Sequence, residues 1–263
     1  MQRFAVLALA LLGSVAPAAA DPPTPPWYSG AAGQKRLLHL SISLGGGLIY
    51  LGSQTVFSDM LASEDCRWCY VPYVDRAARN SLVWDDTRSA DITSSVTAYI
   101  IAPVVGIGLL YLSDRHAGLP RFLDDTIPVL ETVVLTSLVV QAMKFSFARE
   151  RPFVHFGSEV AFEPDHNRSF PSGHSALGFA ITTSAGMVCH WRKYWTEPYV
   201  WGAGITLSLT TEYLRIAADK HYLTDVLAGG LIGAIGGYTI PRLMREDVTI
   251  VPLNNGVAVV GEF

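Results

Sequence analysis

Residues 170–180 read FPSGHSALGFA, Phe170 to Ala180: a Pro-Ser-Gly-His turn that runs directly into an apolar helix. A charge-capable imidazole at the mouth of such a helix costs free energy unless something uses it. The helix belongs to a pattern that fills most of the chain. Six apolar segments are predicted, Leu37–Phe57, Ser94–Leu112, Thr126–Met143, Ser175–Trp191, Tyr199–Leu214 and Tyr222–Ile240. Most approach the roughly 17–25 residues of a membrane-spanning helix, and their Gly, Ala, Ser and Thr content allows close helix approach. Pro103 is expected to kink the second. The first is interrupted by His39, Ser41, Ser43 and Gly45-Gly46-Gly47.

The composition agrees. Of 263 residues 50% are hydrophobic and 16% charged, well below the roughly 25% charged of a soluble domain, and mean hydropathy is +0.29. The predicted fold is therefore all-α, a membrane-type bundle of about six helices over residues 37–247. Residues 248–263 form a tail in which VTIVPL, an Asn-Asn-Gly turn and VAVV predict a β-hairpin. A net charge of -4 gives no reason to invoke nucleic acid.

The first twenty residues read as a secretory signal: Arg3, an apolar run from Phe4 to Val15, then Ala18-Ala19-Ala20 as the expected cleavage site. A flexible N-terminus over 21–36 is expected after it. Cys66-Arg67-Trp68-Cys69 lies in a long polar connection, where a local disulfide is plausible. No second cysteine or histidine pair completes a zinc site, and Cys189 reads as a small core residue.

Placing the polar residues on these segments gives the site. Lys144 ends the third helix and Arg151 follows it; His174 opens the fourth; Arg215 closes the fifth; His221 and Asp225 open the sixth. In an up-down bundle the end of one helix and the start of the next share one end. Three cations there suit an anion with more than one negative charge, Arg by bidentate grip and Lys as a point charge. Ser172, Gly173 and His174 lie where a helix begins, so unpaired backbone N–H groups face the same anion. His221 and Asp225 are four residues apart, one helical turn on one face. A carboxylate there can fix the ring's tautomer and leave the other nitrogen as a nucleophile. His174 could then protonate a leaving oxygen. Arg149, Arg168 and Lys220 are read as shaping the potential, and His116, His155, His166 and His190 as structural. Glu131 and Glu212, inside apolar segments, are expected to face buried partners.

These spacings resemble the signatures of the type 2 phosphatidic acid phosphatase and vanadium haloperoxidase superfamily. Lys144, six residues, then Arg151-Pro152 is similar to the first; Pro171-Ser172-Gly173-His174 to the second; Arg215, five residues, His221, three residues, Asp225 to the third. The resemblance implies a metal-independent lipid phosphatase without cofactor. By it, His221 forms a phosphohistidine, Asp225 orients His221, and His174 protonates the leaving alcohol. Lys144, Arg151, Arg215, Ser172 and the Gly173 backbone hold the phosphate. The family usually has Ser before the third-motif Arg; here it is Leu214. Alternative readings are a periplasmic acid phosphatase, a vanadate-dependent haloperoxidase and a non-catalytic phospholipid-binding membrane protein. An extracytoplasmic site is expected, although a cleaved signal followed by six full spans would place it inside.

Overall fold

The computed structural model describes residues 27–157, 163–245, 249–253 and 256–260. The expected signal at 1–20 lies outside them. Ten helices are found among the described residues. They are α1 (Gly30–Gln54), α2 (Ser58–Leu61), α3 (Tyr73–Leu82), α4 (Thr87–Val96), α5 (Ala102–Ser113), α6 (Leu119–Phe147), α7 (Pro152–His155), α8 (Gly173–Arg192), α9 (Glu197–Ala217) and α10 (Leu223–Arg245). Two strands, β1 (Thr249–Leu253) and β2 (Gly256–Val260), pair antiparallel with Thr249 opposite Val260, giving the expected tail hairpin.

The six apolar segments become six long rods, because a widened π-helical turn at Thr97–Ile101 joins α4 to α5. That turn stands just before Pro103, whose ring and missing N–H disturb the regular ladder. Three rods, Thr87–Ser113, Leu119–Phe147 and Leu223–Arg245, are long and apolar enough to cross a membrane. Apolar side chains such as Leu44, Leu48, Val104, Leu231 and Ile235 face outward, as lipid contact requires. The first rod starts at Gly30, inside the stretch expected to be flexible. Arg36 secures it by a two-pronged grip on Asp124 of α6 at 2.7 and 2.9 Å. Glu131 has the buried partner it was expected to need: His39 of α1 at 2.8 Å.

The central element is α8, packed on by α10, α9, α6 and α5. Ile181, Ala185, Val188 and Cys189 meet Leu110, Val129 and Val200 in its core. Its contact with α10 is a backbone-to-backbone approach. A Cβ on Gly229 would stand 2.3 Å from the Ser172 carbonyl oxygen, and one on Gly233 would stand 2.2 Å from that of Ala176. Glycine is the residue that fits there. This packing ties the first turn of α8 to that of α10, and the Ser172 amide donates to the Asp225 carbonyl at 2.9 Å.

Gly233→Ala should therefore lower the unfolding free energy by about 1–3 kcal/mol, the range for forced overpacking. Gly202→Ala in α9, where a Cβ meets open space, should leave it unchanged or slightly raised. Urea unfolding in detergent measures both.

Candidate active site

Gln54, Lys144, Gly173 and Arg215 stand at or near helix ends that converge at one end of the bundle, on a cavity of about 250 Å³. Lys144, Arg151, Gly173, His174, Arg215 and His221 line it. The sequence placed all six there. A larger cavity of about 360 Å³ lies at the opposite end. Its Arg36 and Arg192 are already neutralised by Asp124 and Asp125, and no pair of imidazoles faces it.

His221 sits in the turn between α9 and α10 and is 1% exposed. Its Nδ1–H donates to the Ser169 carbonyl at 2.7 Å, because a carbonyl can only accept. Nε2 therefore carries the lone pair and accepts from Arg151 Nη1 at 3.3 Å. Here the structure corrects the expectation for Asp225, whose Oδ2 is 3.7 Å from Nδ1. The Asp225 carboxylate is filled by other donors: Ser169 Oγ at 2.5 Å, the Tyr222 amide at 2.9 Å and Arg149 Nη1 at 2.5 Å. It is linked to His221 through Ser169, which binds both.

Arg149 does more than shape the potential. It is fully buried, lies between the Trp68 and Tyr222 rings at 4.2 and 4.3 Å, and bridges Asp225 to Asp75 of α3 at 2.6 Å. Asp75 also accepts from the Thr224 amide at 2.9 Å, closing the first turn of α10. Trp68 comes from the Cys66–Cys69 loop, where the plausible disulfide is formed. The polar connection thus reaches under the nucleophile.

The cations are held in place before any ligand arrives. Arg151 donates to the Lys220 carbonyl at 2.8 Å, the Asp165 carbonyl at 2.9 Å and Asp165 Oδ1 at 2.7 Å. Arg215 is paired with Asp91 and donates to Ser94 Oγ at 3.1 Å. A Cβ on Gly173 would be 3.9 Å from Lys144 Nζ, so the bare backbone faces that ammonium. Ser172 is buried behind the cavity; its Oγ accepts from Ser175 Oγ at 3.0 Å and from the Ser175 amide at 3.4 Å. It caps α8 and does not line the cavity. His174 Nε2 meets Ser95 Oγ at 3.3 Å, and its ring packs on Tyr99 at 4.7 Å. Asp75, Asp91, Ser95 and Asp165 were not singled out by the sequence. Their spacing carries no signature, and only the folded connection brings them in.

Burial, followed by Arg215, Lys144 and Arg151, pushes His174 well below its ordinary 6.5. Burial, then Arg151, Arg215 and Lys144, does the same to His221. Arg215 itself is pushed down to about 10 by burial and Arg151, despite Asp91. Both imidazoles are therefore neutral at neutral pH.

Residues 125–248 match the model described as PAP2 superfamily, and the resemblance drawn from the three motifs holds. A lipid A 1-phosphatase of Porphyromonas gingivalis is 32% identical over 114 residues, 42% of this chain and 22% of that protein. An undecaprenyl-diphosphatase of Sulfolobus acidocaldarius is 28% identical over 138 residues, 52% and 59% of the two. The chain thus spans less than two thirds of the length of these relatives. The crystal structure of Aquifex aeolicus LpxE aligns at a TM-score of 0.44 and 24% identity, over 62% of this chain and 88% of that one. A Bacillus subtilis phosphatidylglycerolphosphate phosphatase aligns at 0.46 and 16%, over 78% and 94%.

Because a bound dianion opposes the three cations, it should raise the His174 pKa and draw in a proton. Calorimetric binding of methylphosphonate near pH 7 is expected to show net proton uptake that depends on buffer ionisation enthalpy. His174→Gln should abolish the protein's share, and affinity should weaken as pH rises past the bound-state pKa. Equal uptake in wild type and variant would refute this.

Proposed function

We propose that this chain, with its PAP2 superfamily region at residues 125–248, hydrolyses a phosphate monoester or diphosphate carried by a lipid, through a phosphohistidine on His221. The observation that carries the reading is His221 Nε2, kept unprotonated by the Nδ1–H bond to Ser169 and held by Arg151 at 3.3 Å on a cavity that His174 also lines. Lys144, Arg151, Arg215 and the Gly173 amide hold the non-bridging oxygens. Nε2 attacks phosphorus, and the bond from phosphorus to the leaving oxygen breaks with its electron pair on that oxygen. Protonated His174 delivers its proton there. Water then attacks the phosphohistidine while neutral His174 takes up its proton. The P–N bond breaks with its pair returning to Nε2, and inorganic phosphate leaves. Positioning and electrostatics carry most of such a transfer.

The lipid character of the substrate is supported by the outward apolar faces that flank the cavity end. It is further supported by relatives whose names specify lipid A and undecaprenyl diphosphate.

The site faces the outside in this reading, and the disulfide supports it. The Cys66–Cys69 disulfide lies at the site's end, and disulfides persist in oxidising compartments. With α1 spanning, the chain before Trp27 would then be cytoplasmic, so this orientation and cleavage after Ala20 exclude one another.

His221→Ala should abolish phosphate release from detergent-dispersed lipid phosphates with the protein still folded, and His174→Ala should cost about 10²–10⁴ in rate. Activity should survive EDTA. Full activity in the His221 variant would end the assignment. In intact cells a membrane-impermeant maleimide should label Asp85→Cys, in the connection before α4, and spare Lys193→Cys; the reverse pattern would put the site inside.

A further inference from the structure

Beyond the scissile-phosphate cradle, the same cavity has a second wall built from α1, α6 and the loop before α8. Tyr50, Gln54, Gln141 and Arg168 line it. Arg168 Nη1 faces Gln54 Oε1 at 3.4 Å and Ser58 Oγ at 3.2 Å. A guanidinium can only donate, so Gln54 must present its oxygen to Arg168 and its nitrogen elsewhere. That nitrogen donates to Gln141 Oε1 at 3.0 Å and to the Tyr50 hydroxyl oxygen at 3.1 Å. Three donor capacities on this wall remain unmet: the Tyr50 O–H proton, Gln141 Nε2 and Arg168 Nε. The last two are buried and have no partner. Orphaned buried donors are costly and call for an acceptor. A wall of donors suits a ligand that carries only acceptors, as phosphate does.

The order outward from the nucleophile is fixed. Arg151 lies 3.3 Å from His221 Nε2 and 2.7 Å from Asp165 Oδ1, and that same oxygen is 3.5 Å from Arg168 Nη2. An anionic oxygen thus already sits between the two guanidinium groups, one step further out than the attacked phosphorus. Lys144, Arg151, Arg168, Arg215 and Lys220 face the cavity against Asp91 and Asp165. The excess of three positive charges exceeds the roughly two negative charges of a monoester.

We infer that Arg168, Gln141 and Tyr50 form a second oxyanion subsite, and that the ligand filling both subsites is a diphosphate whose terminal phosphate lies in the cradle. This rests on the phosphatase reading. In turnover, attack by His221 Nε2 on the terminal phosphorus breaks its bond to the bridging oxygen. The electron pair and the His174 proton go to that oxygen, and a lipid monophosphate departs from the second subsite. Water then releases inorganic phosphate and restores neutral His221.

The test uses the detergent-solubilised full chain and two ligands that cannot turn over, methylenediphosphonate and methylphosphonate, compared by calorimetry. Wild type should bind the bisphosphonate at least about tenfold tighter, as for hydrogen bonds to a charged group. Gln141→Leu and Tyr50→Phe leave the protein's charge unchanged. Each should reduce that preference about threefold or more while methylphosphonate affinity, which also reports folding, stays constant. Arg168→Gln should reduce it further. An unchanged preference in all three variants, or an equal loss for both ligands, would overturn the subsite. Phosphate release from farnesyl diphosphate and farnesyl phosphate is measured in parallel. Failure to release from either would sink the hydrolase reading alone, because the binding ratios report on the subsite without turnover.

Discussion

Lys144, Arg151 and Arg215 are like charges crowded at one buried end of an apolar bundle, and their mutual repulsion is the constraint the rest of the structure answers. Desolvation compounds it. The answer is local neutralisation: Asp165 and two carbonyls fix Arg151, and Asp91 with Ser94 fixes Arg215. The charge left over is what a phosphate can satisfy. The arrangement is preorganised, so little is reorganised when the anion enters. Burial first, and these cations after it, keep both imidazoles neutral.

The supporting structure is mechanical as well as electrostatic. The glycine contacts of α10 with α8 leave no room for either helix to slide. The Ser172 amide to Asp225 carbonyl bond makes the two first turns a single unit. Ser169 links His221 to its support: its carbonyl accepts from the His221 Nδ1–H, its hydroxyl donates to Asp225, and its amide donates to the Arg149 carbonyl at 3.0 Å. One loop residue thus transmits the position of a buried ion network to the reacting nitrogen.

Much of this was legible in the sequence. Hydropathy located six rods, and alternation of short connections put Lys144, His174, Arg215 and His221 at one end. Both inferences rest on chain-local physics. What was not legible depends on how the 58–93 connection folds. Asp91 falls before the second apolar segment in the hydropathy pattern, yet it lies in α4, one turn before Ser95. Asp75 lies in a polar helix with no tie to the motifs, and its relation to Arg149 spans 74 residues of chain. The Asp225 reading failed for a related reason: four-residue spacing puts two groups on one face, but it does not count the competing donors that claim the carboxylate first. Ser172 shows the same limit, a hydroxyl at a helix mouth committed to the helix itself.

The span matched by similarity begins at residue 125, while Asp75, Asp91 and Trp68, which neutralise or clamp Arg215 and Arg149, all precede it. The boundary of recognisable kinship is therefore not the boundary of the working machine. A transplant of the motif-bearing half onto another scaffold would carry its arginines without their counter-ions.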